Sequence, residues 1–426
     1  MMHLMRRLYP ICRSLTGDGV RETLRVLAES IPLQIHEVPS GTKVFDWTVP
    51  DEWNIRDAYI IDPEGRKIVD FKKHNLHVVG YSEPIDATLN LEELQSHLFS
   101  LKDKPEAIPY VFSYYTRNWG FCLSHRQRQG LKPGRYQVRI DSSLQPGHLT
   151  YADLVIPGKT QSEVLVSTYV CHPSMANNEL SGPVVATFLA RWLREQTQRR
   201  LTYRFVFIPE TIGSLTYLSR HLETLQQRVI AGFNLSCLGD ERAYSYLPSR
   251  TGRTLADRVA LNVLRHTDPN FLKYSFLDRG GDERQYCSPG INLPVATLCR
   301  SLFRKYPEYH SSLDDLSLVS EQGLNDSLTL LQRCIMTLEY NCRYRTNCLG
   351  EPQLGRRNLY GHRPEQLREV TSLGPILDFL AYADGEADLV SIAESIDVPP
   401  WSLIPVIELL LKENLIHQLD GQEQAS

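Results

Sequence analysis

The stretch from Val164 to Leu193 constrains the fold more than any other part of the chain. It begins with a continuous apolar run rich in β-branched residues, which is typical of a buried strand. The run breaks at His172-Pro173, passes through a polar loop and continues from Ser181-Gly182 as an apolar helix. This pattern predicts a strand, a loop and a helix, with a histidine at the strand's carboxyl end. Open α/β sheets bind ligands beyond such ends, although a structural histidine bonded to the backbone is an equal interpretation at this point.

Strand and helix patterns alternate from residue 149 onwards. Such alternation predicts an α/β domain with a mainly parallel sheet and helices on both faces. The strand candidates are Ala152–Ile156, Glu163–Tyr169, Thr202–Ile208, Val229–Leu235, Tyr244–Tyr246, Lys273–Phe276 and Leu293–Leu298. The helix candidates are Pro183–Gln198, Ser214–Gln226, Thr254–His266 and Leu324–Tyr344.

The segment before this domain has a different sequence pattern. Helical spacing of apolar residues over 3–30 and a β pattern over 33–42 precede short β-rich pieces that extend from residue 44 to 142. One amphipathic helix is expected at 91–101. The aromatic residues here are dense; we interpret most of them as core packing, with a substrate-pocket wall as the alternative. They are Trp47, Trp53, Tyr110, Tyr114, Tyr115, Trp119 and Phe121.

Four parts are therefore predicted. Residues 1–42 and 143–345 form a discontinuous α/β domain, and residues 43–142 form an inserted β-rich domain. Residues 346–373, rich in Gly, Pro and Arg, form a linker. Residues 374–426 contain three apolar-periodic helices and a hairpin-like piece, a pattern that indicates a winged helix-turn-helix.

Charge disfavours nucleic acid as the partner of this predicted winged helix. Residues 374–426 carry ten carboxylates and one cation, Lys412, which gives a local net charge of −9. Binding to phosphates needs several Lys or Arg side chains on the docking face. A protein partner, intramolecular packing or a homo-oligomer contact fits the acidic, apolar-rich tail better.

Composition narrows the class of protein further. The net charge of −4 over 426 residues creates no strong overall field. No apolar run reaches the roughly 18 residues of a membrane span, and the N-terminus lacks a signal-peptide pattern. The nine cysteines contain no CxxC pair, so they favour reduced thiols and a cytoplasmic protein without a zinc–thiolate site.

Four segments with ionisable side chains follow strand candidates: CHPSMANNELSG, FVFIPETIGS, GGDERQYCSPG and YPEYHSSLDD. Each segment alone has a structural interpretation, as a helix cap, a solvated charge run or a structural histidine. Together, two histidines and several carboxylates at the strand ends of one sheet match the ligands of Zn²⁺, which leaves a position open for water. A neighbouring carboxylate then acts as general base. There is no HExxH motif, so the site is not that of a helix-borne metalloprotease.

The order of these motifs resembles the co-catalytic zinc aminopeptidases of the bacterial leucyl aminopeptidase type, whose fold also includes glutaminyl cyclases. His172, NNELSG at 177–182, Glu210, GGDERQYCSPGINLP at 280–294 and YHSSLD at 309–314 match that family's motifs in order and approximate spacing. Nearly the whole chain also resembles an uncharacterised bacterial aminopeptidase-like family that carries an inserted β-rich module and a C-terminal winged helix. The pieces that carry this resemblance are FDWTVPDEWNIRDAYI, NLHVVGYS, SYYTRNWGFC, CHPSMANNELSG, GDERQYCSPG and YPEYH.

The chain departs from the aminopeptidase pattern at positions where the resemblance implies ligands of two zinc ions. Asn178 stands at the bridging aspartate, with Glu179 beside it, and Ser236 stands near an aspartate ligand of the second zinc. Pro209-Glu210 replaces a Glu-Glu pair. Because a neutral amide is a poor substitute for a bridging carboxylate, we expect one zinc ion rather than two.

The expected metal ligands are His172, His310 and Glu210, with Glu179 as the second choice for the carboxylate and Asp240 as a weaker one. If Glu210 binds the metal, then Asp282 or Glu308 must transfer the proton; otherwise Glu210 is the base. Arg284 is expected to bind a substrate carboxylate through its bidentate fork, and Asn178 to contact the substrate.

These residues predict a zinc-dependent hydrolase that cleaves an amide or peptide-like bond of a small peptide-like or aminoacyl-metabolite substrate. One alternative is a pseudoenzyme or binding module, since the bridging aspartate is missing. A DNA-linked regulator is a further alternative, which the acidic tail disfavours.

Overall fold

A computed structural model of the chain describes residues 1–357, 359 and 373–419. The chain divides into two compact units, Met1–Ala256 with Leu272–Leu328, and Asp257–Phe271 with Thr329–Ser426. The helices are α1 Met2–Leu8, α2 Asp18–Ala28, α3 Leu91–Gln95, α4 His125–Gln129, α5 Ser181–Glu195, α6 Ile212–Arg228, α7 Leu255–Thr267, α8 Glu283–Tyr286, α9 Glu321–Tyr340, α10 Leu373–Tyr382, α11 Leu389–Ser395 and α12 Ile404–Lys412. The strands are β1 Gln34–Pro39, β2 Lys43–Val44, β3 Trp47–Thr48, β4 Glu52–Ile61, β5 Lys67–Asp70, β6 Ile85–Asn90, β7 Leu98–Phe99, β8 Phe121–Cys122, β9 Arg135–Gln145, β10 His148–Ile156, β11 Glu163–Tyr169, β12 Thr202–Ile208, β13 Val229–Leu235, β14 Ser245–Leu247, β15 Leu272–Lys273, β16 Val295–Cys299, β17 Arg343–Thr346, β18 Asp384–Asp388 and β19 Ile416–Leu419.

An eight-stranded sheet forms the centre of the first unit, in the order β1-β10-β12-β11-β13-β16-β14-β15. The four inner strands β12, β11, β13 and β16 run parallel. Strand β10 joins them antiparallel on one side and β14 on the other. Every residue of β11 and β12 is buried, as parallel strands covered on both faces require. The α/β fold class with a mainly parallel centre is therefore confirmed.

A four-stranded antiparallel sheet, β5-β4-β9-β6, contains most of the β structure between residues 43 and 145. Buried Tyr136, Val138 and Ile140 alternate with exposed residues along β9, so one face of this sheet packs on the core. The helix expected at 91–101 is shorter than predicted. It is the one-turn helix α3, begun by a capping box at Asn90, because Leu98 and Phe99 pair with β8 instead.

The second unit contains a three-stranded antiparallel sheet, β18-β17-β19, together with α10, α11 and α12. Its apolar core includes Tyr344, Phe379, Leu389 and Ile407. The helix predicted to reach Tyr344 ends at Tyr340, because the following residues form the central strand of this sheet.

Residues 358 and 360–372 of the predicted linker, and residues 420–426 of the predicted C-terminal domain, lie outside the described residues. The four domain boundaries drawn from the sequence stay predictions. In the described part of the chain, no helix combines the length and apolar character needed to cross a membrane.

Candidate active site

His172 and Glu210 meet at the carboxyl edge of the central sheet. They follow β11 and β12, two parallel strands whose last residues, Tyr169 and Ile208, lie side by side. The carboxyl ends of parallel strands share one edge, so residues just beyond them come together. His172 Nε2 lies 3.5 Å from Glu210 Oε2.

The other ring nitrogen of His172 is hydrogen-bonded to a buried carboxylate. His172 Nδ1 donates to Glu179 Oε2 at 2.6 Å, and neither side chain is exposed by more than 3%. In the neutral ring, this bond leaves the Nε2 lone pair facing Glu210. Burial opposes a charge on this ring, but the carboxylates of Glu179 and Glu210 together raise the pKa of His172 above its usual value.

Glu179 was the second choice for the metal-binding carboxylate, and the structure gives it a different position. It lies on a π-helical turn, Ala176–Leu180, and orients His172 from the side opposite Glu210. Among the described residues, Cys171, His172 and Glu179 form a group whose potential ligand atoms all lie within 4.8 Å of one another. Burial raises the pKa of the Cys171 thiol well above its usual value, and within this group His172 Nδ1 donates to Glu179 Oε2.

His310 supplies a second imidazole beside the first. Its ring centre lies 5.4 Å from that of His172, and its ring stacks on Tyr309 at 3.9 Å. The backbone of His310 is left-handed, with a φ of 53°. Its Nε2 is buried and has no hydrogen-bond partner among the residues that the structure describes. Burial, helped by the charges of His172 and Arg304, lowers the pKa of His310 to about 2, so its free ring nitrogen is neutral.

The β-rich segment contributes a tyrosine to this site. The Tyr110 ring contacts both histidines edge-on, at 5.2 Å from His172 and 5.1 Å from His310. Its backbone N–H donates to the His310 carbonyl at 3.0 Å, and its hydroxyl bonds Tyr114 at 2.6 Å. At least one of the clustered aromatic residues therefore lines the site, as the alternative interpretation from the sequence allowed.

Glu210 and Asp282 form an acidic pair with perturbed protonation. Burial raises the pKa of Asp282 to about 7, and the negative charge of Glu210 adds to the effect. Asp282 Oδ1 accepts hydrogen bonds from Thr211 N and Ser214 Oγ, both at 2.7 Å, whereas its buried Oδ2 has no partner. Burial also raises the pKa of Glu210, partly offset by His172 and Arg284. Asp282 is thus suited to exchange a proton near neutral pH.

Two further predicted residues have different surroundings. Arg284 donates to Thr211 Oγ1, and its charge lowers the pKa of Glu210, so it belongs to the same group of side chains. Glu308 instead forms a bidentate ion pair with Arg242, with both N–O distances at 2.8 Å. That hydrogen-bonded pair lowers the pKa of Glu308 and disfavours it as a proton carrier.

The positions of the second zinc implied by the resemblance are electrically neutral. Asn178 Nδ2 donates to Tyr169 Oη at 2.9 Å, while its buried Oδ1 has no partner. Ser236 is also buried, and its hydroxyl has no partner. Asp240 is fully engaged as an acceptor, bonding Asn177 Nδ2 at 2.9 Å and both the N–H and hydroxyl of Ser301. The structure therefore offers no free carboxylate at Asn178, Ser236 or Asp240.

The comparisons with known proteins agree with this architecture. A family model described as "Domain of unknown function (DUF4910)" matches residues 2–341. The chain belongs to the DUF4910 family. A second model, of a winged helix-turn-helix, matches residues 342–418 and confirms the winged helix.

Several known proteins are similar to this DUF4910 chain. A Clostridium acetobutylicum protein named "Putative polysaccharide biosynthesis protein with aminopeptidase-like domain" is 45% identical over 359 residues, which cover 84% of this chain and 82% of that protein. A crystal structure titled as a putative peptidase from C. acetobutylicum has a TM-score of 0.91 at 40% identity, covering 98% of this chain and 96% of the other. A zinc aminopeptidase from Bacillus subtilis has a TM-score of 0.56 at 13% identity, covering 79% and 94%, which shows a shared fold.

Two residues of this DUF4910 site escaped the sequence analysis. Tyr110 appeared only among several clustered aromatics, and Arg13 lay in a segment read as helical. Arg13 Nε donates to the backbone carbonyl of His172, 159 positions away, at 2.9 Å. No periodicity or spacing links positions so far apart, and Arg13 is one of five arginines in residues 3–30, so the sequence offers no signal that singles it out.

Proposed function

We propose that this DUF4910 chain is a zinc-dependent hydrolase that cleaves an amide or peptide-like bond of a small substrate. One observation carries the proposal: the neutral His310 lies beside His172, the Nε2 of His172 lies near the Glu210 carboxylate, and the buried Nε2 of His310 has no hydrogen-bond partner among the described residues. Two imidazole nitrogens and one carboxylate are a ligand set that zinc accepts in catalytic sites. The potential ligand atoms of these three side chains do not all lie within 4.8 Å of one another, so zinc binding requires the side chains to move closer together.

The surroundings support one zinc ion rather than two. Glu210 is the carboxylate beside His172, while Asn178 and Ser236 are neutral. A second divalent ion in a buried site needs compensating negative charge, which these side chains do not supply. Zinc held by His172, His310 and Glu210 would act as a Lewis acid and make a water molecule nucleophilic near neutral pH.

When Glu210 is a zinc ligand, Asp282 is the residue that transfers the proton. Its Oδ1 is fixed by Thr211 and Ser214, its Oδ2 is unpartnered, and burial raises its pKa to about 7. A carboxyl group with such a pKa is present in both forms at neutral pH, as an acid–base catalyst needs to be. If Glu210 does not bind the metal, Glu210 is the base.

Arg284 and Tyr110 define the side that receives the substrate. Arg284 lies close enough to Glu210 to lower its pKa, and its guanidinium suits a substrate carboxylate. The Tyr110 ring covers both histidines. We therefore propose a peptide-like or aminoacyl-metabolite substrate. The name of the C. acetobutylicum relative adds aminoacyl groups on saccharides to the candidates.

The test is an activity screen of zinc-loaded protein on aminoacyl anilides, dipeptides and aminoacylated amino sugars. Once a substrate is found, Asp282→Asn and Glu308→Gln separate the two candidate proton carriers. We expect Asp282→Asn to lower kcat by about 100-fold or more, the usual contribution of a general acid–base group, and Glu308→Gln to change it little. Equal effects of the two variants would contradict the assignment.

A binding module is the second candidate, favoured by the neutral Asn178 and Ser236. It predicts saturable binding of an aminoacyl or peptide ligand without turnover by the zinc-loaded protein. Turnover that is lost in Glu210→Gln would exclude it.

A further inference from the structure

Arg13 is a fully buried cation that lies behind His172. Its side chain has no exposed surface. Its Nε donates to the His172 carbonyl at 2.9 Å, and its Nη1 donates to the Leu8 carbonyl at 2.8 Å. These bonds fix the guanidinium plane to the backbone on both sides of the group. A buried Arg without a carboxylate partner is strongly unfavourable, so its charge needs a counter-ion.

Glu179 is that counter-ion, and it is also the partner of His172. Arg13 Nε lies 3.9 Å from Glu179 Oε1, while Glu179 Oε2 accepts the 2.6 Å hydrogen bond from His172 Nδ1. Within the described residues, Glu179 Oε1 and Arg13 Nη2 have no hydrogen-bond partner of their own. Arg13, Glu179 and His172 therefore form a buried group in which Arg13 bonds the His172 backbone and lies at ion-pair distance from Glu179, and Glu179 accepts from the His172 ring.

We propose that Arg13 is a positioning residue that sets the tautomer and orientation of His172. The guanidinium holds the His172 backbone directly and aligns the Glu179 carboxylate to accept the Nδ1 proton. The neutral ring then presents its Nε2 lone pair to Glu210 and the site. Carboxylates that fix a metal-binding histidine in this way raise its affinity for the ion. The consequence for metal binding rests on the proposed function, whereas the effect on the tautomer does not.

A purely structural role for Arg13 makes a different prediction. In that case, Arg13→Met would lower stability, as removal of any buried ion pair does, without changing the His172 ring. Arg204 provides the matched control, because it is a buried arginine whose Nε bonds the buried Glu163 at 2.6 Å. Arg204 lies on β12 next to Val155 and Leu165, towards the strand's amino end, with no bond to His172.

The experiment measures the His172 tautomer by ¹⁵N–¹H correlation NMR of metal-free protein, at an alkaline pH where the ring is neutral. His172→Ala assigns the signal. We expect the Nδ1–H form in the wild type and in Arg204→Met, and a mixture of tautomers in Arg13→Met. An unchanged Nδ1–H signal in Arg13→Met would overturn the proposal.

Zinc affinity, measured by competition with a chromophoric chelator, gives the second readout. We expect Arg13→Met to weaken binding by roughly 10- to 100-fold, the usual cost of losing an outer partner of a metal-bound histidine. We expect Arg204→Met to leave it unchanged. Equal losses in the two variants would overturn the proposal.

One result separates this inference from the proposed function. A wild type that binds no zinc but shows the tautomer shift in Arg13→Met would support Arg13 as a positioning residue and remove the hydrolase. If Arg13→Met does not fold, Arg13→Lys and Glu179→Gln take its place. Glu179→Gln should lose the pure Nδ1–H form because an amide can also donate, and retention of that form in both variants would overturn the proposal.

Discussion

The two halves of the candidate site differ in how their charges are satisfied. In the first half, His172 lies between Glu179 and Glu210, Arg13 balances Glu179, and His310 keeps a free ring nitrogen. In the second half, Asn178, Ser236 and Asp240 are neutral or saturated with hydrogen bonds. The side chains of the first half suit a bound cation, whereas those of the second half are satisfied without one.

This difference is the basis of our proposal that the DUF4910 chain holds one zinc ion rather than two. A buried amide needs a hydrogen bond, which Asn178 Nδ2 donates to Tyr169 Oη, whereas a buried carboxylate needs a cation. Replacing a carboxylate by an amide therefore changes the number of ions that a site can hold, while the sheet that carries the site stays the same. Fold similarity at 13% identity therefore leaves the ion count open.

The largest expected effect comes from putting a charge into the neutral half. Asn178→Asp places a second carboxylate beside Asp314, whose Oδ2 accepts the Asn178 N–H at 3.0 Å, and removes the donor to Tyr169. We expect the metal-free protein to lose about 3 kcal/mol of unfolding free energy, measured by urea denaturation. Zinc should recover part of this loss.

Ser236→Ala is the control for that change, because it removes a buried hydroxyl that has no partner. We expect its stability to stay within about 1 kcal/mol of the wild type. A stable, metal-free Asn178→Asp protein would show that the second half tolerates charge and would break the comparison.

A smaller effect is expected from the acid of the first half. The pKa of Asp282 is about 7 in the folded chain, higher than in the unfolded chain, so the folded state binds more protons between about pH 4 and 7. Deprotonation of Asp282 therefore lowers the stability of the folded protein as the pH rises through this range. Asp282→Asn should be more stable than metal-free wild type at pH 8 by on the order of 2 kcal/mol, with the difference vanishing near pH 4. A constant difference across this range in thermal unfolding would contradict the assignment.

A still smaller effect is expected at an ion pair without any ligand role. Asp388 caps α11 through Ser391 N at 2.9 Å and pairs with Arg258 at 2.8 Å in the second unit. Asp388→Ala should cost about 1 kcal/mol of unfolding free energy through loss of the cap, with zinc binding and the His172 tautomer unchanged. A change in zinc binding or in the His172 tautomer would show that a substitution outside the site also affects it. The effects assigned to the two halves would then not be local.

The smallest effect concerns the winged helix, for which we keep the hypothesis of a protein partner. Its predicted segment has ten carboxylates and one cation. We expect no salt-dependent binding to a labelled DNA duplex in fluorescence anisotropy at physiological salt. Micromolar binding that weakens steeply with salt would reverse the hypothesis.

The sequence predicted the strands that carry the site and missed those that depend on distant partners. The bounds of β11, β12 and β13 agree with their predicted ranges, because each is a continuous apolar run. Strand β17 was not predicted: the expected helix ran on to Tyr344 and the expected linker began at residue 346, whereas the pairing of β17 with β18 and β19 involves residues more than 35 positions away. The local order of apolar and polar residues carries no information about that pairing.

The same distinction holds for the site. His172 and Glu210 could be placed together because both follow parallel strands. The role of Glu179 could not, because a ligand and a hydrogen-bond partner of a ligand have the same residue type and spacing. Arg13 and Tyr110 reach the site through tertiary contacts with residues that are distant in the sequence.

The measurement that tests the central claim most directly is the zinc content of zinc-reconstituted protein by elemental mass spectrometry. It compares wild type, Ser236→Ala and His310→Asn, the last chosen because Asn accommodates the positive φ of 53° at this position. We predict about one zinc per chain in the wild type and in Ser236→Ala, and none in His310→Asn. Two zinc ions per wild-type chain, or one retained in His310→Asn, would contradict the account.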